Sequence, residues 1–141
     1  HVALYIHKVA LDGSNGRSLL KNYDLVLDGT DNLVTRRASA AAAEALHMPL
    51  VSGAVSMFSG QVTVFAPHLG GPPHETIFPP EASDDALPSC EANGILGPVT
   101  GVIGTLMAME AIKLITGVGT PLIGRLLVYD AREASFTELG Y

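Results

Sequence analysis

A short polar run after an apolar segment carries the side chains best suited to chemistry. Residues 25–27 are Leu, Val and Leu, residues 28–32 read Asp-Gly-Thr-Asp-Asn, and Arg36 follows about one helical turn later. Ligands of open α/β sheets bind beyond the carboxyl ends of the strands, and Mg²⁺ is held by one or two carboxylates together with substrate phosphates. The pattern predicts that Asp31 contacts a metal–triphosphate group. Asp31 or Asn32 can also cap a helix, and the local pattern alone favours a cap for Asp31.

Cys90 is the second candidate, because it lies shortly before a predicted helix. Helix N-termini lower thiol pKa values and so favour a nucleophilic thiolate. No His or Lys stands next to Cys90, however, and a lone cysteine is more often a small buried apolar residue. The residues alone favour that second interpretation. A single cysteine also excludes an internal disulfide, which is typical of a cytoplasmic protein.

Metal-capable side chains recur in the irregular segment 67–88, but without a recognised ligand spacing. They are interpreted as solvated loop charges, and they comprise His68, His74, Glu75, Asp84 and Asp85.

Composition excludes several classes of protein. The 141 residues are 48% hydrophobic and 16% charged, with a net charge of -6, which describes one compact domain with a core. No basic patch extends beyond Arg36 and Arg37, so nucleic acid is not an expected partner. The apolar stretch 94–109 is shorter than the ~20 residues that span a bilayer, so no membrane is expected either.

The elements that must position these residues alternate strands with helices, which predicts an α/β sheet layered with helices, followed by a more antiparallel section. The predicted strands are 2–6, 25–27, 50–55, 61–65, 126–129 and 135–139. The predicted helical segments are a turn at 18–20, a helix from Asp31 or Asn32 to His47 that Pro49 ends, and a helix over 98–116 that Gly117 ends.

The helix over 98–116 carries small residues at steps of four and three. Its other residues are mostly apolar, so we expect most of its surface to be covered. The stripe predicts core packing or a subunit contact, and it consists of Gly97, Gly101, Gly104, Ala108 and Ala111.

Several motifs in order resemble the MoeB/ThiF branch of the ubiquitin-activating-enzyme-like adenylyltransferases. They are the run 23–32 with Arg36, the segments 49–53 and 60–64, the segment 88–94 around Cys90, the helical segments 101–104 and 110–113, and the closing strand 124–130. The resemblance is nearly continuous from residue 11 to residue 139. It implies a Rossmann-like sheet portion with helices, in which the domain 1–141 is the C-terminal part of an adenylating domain.

The resemblance also implies a chemistry. Enzymes of this family use ATP and magnesium to adenylate the C-terminal glycine of a ubiquitin-like sulfur-carrier protein, in molybdopterin or thiamine biosynthesis. Asp31 matches the family's catalytic magnesium and ATP carboxylate, and Asn32 and Arg36 join it in binding the cofactor. Cys90 matches a cysteine that in several members receives the activated acyl group or forms a persulfide-linked intermediate. The family's enzymes are commonly homodimers.

Two departures from the family shape what we expect of this chain. The family's Gly-rich phosphate loop and basic ATP contacts precede the matching region, and the chain begins at His1, so we expect a truncated form that is inactive alone. The first cysteine pair of the family's zinc site would fall at Pro73 and Thr76, so no zinc is expected. The alternative to an enzyme fragment is a non-catalytic module that docks a ubiquitin-like carrier or self-associates.

Overall fold

The computed structural model describes residues 1–82 and 94–141. Within these two ranges, the helices are α1 (Gly16–Leu20), α2 (Leu33–Ala45) and α3 (Gly97–Thr116). The five strands are β1 (Val26–Asp28), β2 (Leu50–Val55), β3 (Ser59–Phe65), β4 (Arg125–Asp130) and β5 (Ser135–Gly140). Two single 3₁₀ turns, Pro67–Leu69 and His74–Thr76, follow β3.

The strands form one sheet in chain order, from β1 at one edge to β5 at the other. β1 and β2 are parallel, because α2 carries the chain back between them. The pairs β2–β3, β3–β4 and β4–β5 are antiparallel. The predicted α/β portion followed by an antiparallel section is therefore confirmed.

Alternating side chains of the central strands build a core on each face of the sheet. Leu50 packs under α2, whereas the next residue, Val51, packs under α3. The same alternation in β3 sends Phe65 to the α2 side and Val64 to the α3 side. Successive side chains of a strand point to opposite faces, so helices cover both faces of the central sheet.

Two glycines allow α3 to lie close to the sheet. A Cβ added to Gly53 would lie 2.2 Å from Sδ of Met107, and one added to Gly60 would lie 2.3 Å from Cγ1 of Ile103. Ile103 and Met107 are both buried. The side chains of α3 thus rest directly on the backbone of β2 and β3.

Most of the small-residue stripe of α3 is exposed: Gly97, Gly101, Gly104 and Ala108 are exposed, whereas Ala111 is buried. A Cβ added to Gly97, Gly101 or Gly104 would meet nothing within 4 Å, whereas the buried face carries Val99 and Ile103. The expectation that this stripe packs into the chain's own core is therefore wrong for those four exposed residues and confirmed for Ala111, because branched and larger side chains occupy most of the buried face. A subunit contact stays a prediction.

By length and composition alone, α3 is the one described helix apolar enough to cross a membrane. Its 20 residues exceed the uncharged stretch considered from the sequence, because the helix continues through Glu110 and Lys113. Core helices of α/β proteins meet the same criteria, and α3 packs one face against β2 and β3.

The predicted strand at residues 2–6 is wrong. This segment has no regular structure, and the side chains of Val2, Leu4 and Ile6 are 88%, 84% and 83% exposed. A preference for strand conformation is realised only against neighbouring strands, and within residues 1–82 and 94–141 none lies beside this segment.

Candidate active site

A cavity of about 760 Å³ opens at the carboxyl end of β1. The turn after β1, the β2–β3 hairpin and one face of α3 enclose it. Its volume lies in the range of small-molecule sites. The lining combines polar groups with apolar walls, and comprises Gly29, Thr30, Asp31, Asn32, Arg36, Gly53, Ala54, Val55, Ser56, Ser59, Gly60, Gln61, Phe78, Ile95, Thr100, Ile103, Gly104, Met107 and Val128.

Asp28, the first of the two predicted carboxylates, is buried and committed to the fold. Its Oδ1 accepts hydrogen bonds from the backbone N–H of Thr30 at 2.9 Å and from Oγ1 of Thr30 at 2.7 Å. Its Oδ2 pairs with Nη1 of Arg36 at 3.4 Å. Asp28 therefore shapes the turn after β1, and it is not among the residues that line the cavity.

Asn32, rather than Asp31, caps α2. Oδ1 of Asn32 accepts a hydrogen bond from the backbone N–H of Thr35 at 2.8 Å, and its own backbone is extended, as N-cap residues are. The local preference for Asp31 as the cap is wrong, because the helix begins one residue later. The Asp31 carboxylate is exposed at the cavity, and its hydrogen bond within the described chain comes from Nδ2 of Asn32 at 3.3 Å.

Arg36 lies in the wall of the cavity and is only 4% exposed. Its Nη1 donates to Oγ of Ser52 at 3.1 Å as well as pairing with Asp28, and its Nη2 donates to the carbonyl oxygens of Thr30 and Gly53, the latter at 2.8 Å. The guanidinium thus joins the ends of β1 and β2, and the ring of Phe78 lies 5.8 Å from its Cζ.

The structure brings Asp31, Asn32 and Arg36 together at one cavity, as the sequence predicts for a site at a strand end. Cys90 lies outside the described residues, so its predicted role stays a prediction. Sequence reasoning missed Ser56 and Thr100, which also line the cavity, since nothing in their spacing distinguishes them from surface residues.

Gln61 also lines the cavity, and the signal for it was weak. It is a polar residue in an otherwise apolar strand, at a position where alternation sends its side chain toward the cavity.

The donor set at the cavity fits magnesium held mainly through phosphates. Within residues 1–82 and 94–141, no group of three or more His, Cys, Asp or Glu side chains could hold a metal ion alone. Asp31 offers one exposed carboxylate, and Mg²⁺ is commonly bound by one or two carboxylates plus substrate phosphates.

His74 is not a solvated loop residue, which corrects the interpretation from sequence. It is 5% exposed, stacks on Phe78 with ring centroids 4.8 Å apart, and meets the edge of Phe65 at 5.0 Å. Burial lowers the pKa of its imidazole to about 4, with the Asp28 charge acting in the opposite direction and Arg36 and Arg37 adding to the decrease. The ring is therefore neutral at neutral pH and serves the core.

Comparisons with known proteins agree with this architecture. Residues 2–140 match the model of the ThiF family. The chain is 44% identical to the sulfur carrier protein adenylyltransferase of Thermus thermophilus, covering 98% of this chain and 52% of that protein. It is 42% identical to the probable adenylyltransferase/sulfurtransferase MoeZ of Mycobacterium tuberculosis, covering 96% of this chain and 35% of that protein.

Solved structures share the fold at low sequence identity. The Escherichia coli MccB structure with ATP superposes with a TM-score of 0.67 at 14% identity, covering 94% of this chain and 41% of that one. PaaA superposes with a TM-score of 0.70 at 12% identity, covering 94% of this chain and 39% of that one. The chain spans about half the length of its Thermus relative, 52%, and a smaller part of MoeZ. From the family match over nearly all its residues, the chain belongs to the ThiF family.

Proposed function

We propose that this chain forms part of the active site of an ATP-dependent adenylyltransferase that activates the C-terminal glycine of a ubiquitin-like sulfur-carrier protein. The observation that carries the proposal is the exposed Asp31 carboxylate, which Asn32 frees from capping α2, at the mouth of a cavity of about 760 Å³. The names of the Thermus and Mycobacterium relatives support the reaction type.

The reaction makes a poor acyl donor reactive. A carboxylate oxygen of the carrier's terminal glycine attacks the α-phosphorus of ATP, an O–P bond forms, and the bond from that phosphorus to the bridging oxygen of the β-phosphate breaks. The products are an acyl-adenylate and pyrophosphate. Magnesium bound with ATP would offset the negative charge that builds on the phosphates in the transition state.

The chain's own residues position the carboxylate that would hold magnesium. Asp31 is the carboxylate available to hold magnesium, and the Asn32 side chain orients it through the hydrogen bond of 3.3 Å. Because the Asn32 oxygen is committed to the cap of α2, its amide group is fixed relative to the helix. The apolar walls, which include Ile103 and Met107, keep water from the reacting groups.

The test is carrier-dependent exchange of labelled pyrophosphate into ATP, measured on the complete protein that contains this chain. Asp31→Asn keeps the size of the side chain and removes its charge, so we expect the exchange rate to fall about 100-fold. The matched control is Asp24→Asn, because Asp24 is also exposed but lies at the opposite end of β1. The control should change the rate less than about 2-fold.

Equal rates for Asp31→Asn and the unmodified protein would refute the role of Asp31. Carrier binding without any exchange in the complete protein would instead favour the non-catalytic docking module. The 141-residue chain by itself is expected to show no exchange, because it spans 52% of its Thermus relative.

A further inference from the structure

The guanidinium of Arg36 closes a hydrogen-bonded ring around the turn that carries Asp31. Each terminal nitrogen of an arginine has two N–H donors, and here each has two acceptors. Nη1 meets Asp28 at 3.4 Å and Ser52 at 3.1 Å, while Nη2 meets the carbonyl oxygens of Thr30 and of Gly53, the latter at 2.8 Å. Two of these acceptors precede Asp31 within three residues, and the other two lie on β2.

We propose that Arg36 is a positioning residue that fixes the Asp31 carboxylate relative to β2 and does not itself contact the nucleotide. This inference rests on the proposed function for its catalytic consequence, although its structural part does not. It assigns Arg36 a role different from the cofactor contact that the family resemblance implies.

The geometry of the turn explains how Arg36 acts on Asp31. Asp28 holds the Thr30 backbone N–H and hydroxyl through one carboxylate oxygen, and Arg36 holds the other oxygen. Arg36 also holds the carbonyl of Thr30, whose carbon is bonded to the backbone nitrogen of Asp31. The backbone N–H and C=O of Thr30, the residue before Asp31, are therefore both held, the N–H by Asp28 and the C=O by Arg36, and Arg36 in turn pairs with Asp28.

Direct contact with a phosphate would break this arrangement. Arg36 is 4% exposed, and all four terminal N–H groups already have acceptors. Turning either nitrogen toward a ligand would leave buried acceptors on Asp28, Ser52 or Gly53 without a donor, which is costly in a protein interior.

Lysine cannot replace this residue. An ammonium group is a compact point charge with three donors, whereas the planar guanidinium reaches four acceptors, which lie on β1, on β2 and in the turn after β1. Arg36→Lys therefore keeps the positive charge next to Asp28 but releases part of the turn. A residue needed only for charge would tolerate the change.

The first experiment is a double-mutant cycle on the complete protein, read as the Mg²⁺ concentration that gives half-maximal ATP–pyrophosphate exchange. Arg36→Lys should raise this concentration about 10-fold, the effect typical of residues that orient a metal ligand. In the Asp31→Asn background the same change should raise it less than about 2-fold, because residues that act through one another are not additive. Equal factors in both backgrounds would overturn the proposal, since a general loss of structure does not depend on Asp31.

The second experiment is hydrogen exchange of the complete protein, which requires no activity. Arg36→Lys should speed exchange of the Thr30 amide at least about 10-fold, as expected for local opening. The matched control is Arg125→Lys. Arg125 also donates to two backbone carbonyls, that of Thr120 at 3.1 Å and that of Pro121 at 3.0 Å, and to the carboxylate of Glu138 at 3.1 Å. Unlike Arg36, Arg125 does not line the cavity.

Arg125→Lys should leave both the Mg²⁺ requirement and the Thr30 amide unchanged. Unchanged exchange of the Thr30 amide in Arg36→Lys would overturn the proposal whatever the catalytic result. If the complete protein catalysed no exchange of pyrophosphate, the proposed function would fail while the hydrogen-exchange result still decided the role of Arg36. Should Arg36→Lys not fold, Ser52→Ala removes one acceptor only, and the same two measurements should shift in the same direction by a smaller factor.

Discussion

Replacing Gly60 by alanine tests how closely α3 lies on the sheet. The added Cβ would lie 2.3 Å from Cγ1 and 2.6 Å from Cδ1 of Ile103, and 3.2 Å from the carbonyl oxygen of Ala54. Carbon atoms in contact are about 3.5 Å apart or more, so the first distance is about 1.2 Å too short. Cδ1 is the end of the Ile103 side chain, but Cγ1 is bonded directly to Cβ, and a β-branched residue in a helix has one strongly preferred χ1 rotamer. Because Cγ1 has little freedom to turn away, α3 itself must move away from β3.

Two opposing effects set the expected change in the free energy of unfolding. Overpacking of a core typically costs about 1–3 kcal/mol, and a strand position gains about 0.5 kcal/mol when alanine replaces glycine. We therefore expect Gly60→Ala to lower the free energy of unfolding by about 2 kcal/mol. With a urea m-value of about 2 kcal/mol per molar, the midpoint of unfolding should fall by about 1 M.

Urea unfolding followed by circular dichroism measures the effect, and Gly13→Ala is the matched control. A Cβ at Gly13 would meet nothing within 4 Å, so that variant should be stabilised by less than about 1 kcal/mol through its unfolded state. The clash also predicts a coupling. In an Ile103→Ala background, which removes both close atoms, Gly60→Ala should cost less than about 0.5 kcal/mol. An undiminished cost in that background would refute the contact with α3 as the cause.

Three further predictions concern association, metal content and pH. Sedimentation should detect a homodimer or larger species at micromolar concentration. Gly101→Leu or Gly104→Leu should weaken this association without unfolding the chain, because a Cβ at either position meets nothing within 4 Å. A monomer throughout would exclude the subunit contact. Elemental analysis after dialysis against a chelator should find no zinc, since Pro73 and Thr76 replace the first cysteine pair, and one zinc per chain would contradict this. The folded-state pKa of His74, about 4, lies below its ordinary 6.5, so the unfolded state alone takes up a proton between these values and stability should fall as pH falls from 6.5 to 4. Over this range the free energy of unfolding should fall by about 2–3 kcal/mol, allowing for partial screening. His74→Phe should lack this part of the pH dependence when its unfolding is measured between pH 6.5 and pH 4.

The sequence by itself determined the local elements whose signals lie within a few neighbouring residues. Pro98 near the start and Gly117 after the end mark α3, and the structure has that helix at Gly97–Thr116 with Gly117 in the left-handed region. β2 lies at the predicted residues, Leu50–Val55, because the preceding Pro49 separates it from α2. Such signals depend on the backbone conformations that proline and glycine themselves allow, so they do not require contacts with distant residues.

The sequence also indicated which strand end carries polar side chains at the cavity, although not the contacts that each of them makes. Two carboxylates, a glycine and a helix start at one strand end indicate an anion and metal site. Which carboxylate faces the cavity depends on whether α2 begins one residue earlier or later. Asn32 caps α2 and Asp28 pairs with the buried Arg36. Asp31 is therefore the carboxylate of this run that remains at the cavity.

Only the tertiary structure decided which face of each element is covered. Residues 2–6 have the composition of a strand but lie beside no strand in the described chain. The three glycines of the small-residue stripe of α3 are exposed. His74 has the sequence context of a loop, yet it packs between Phe65 and Phe78. Burial depends on contacts between residues far apart in the chain, such as Arg36 with Gly53 and Ile103 with Gly60, and no local pattern encodes those distances.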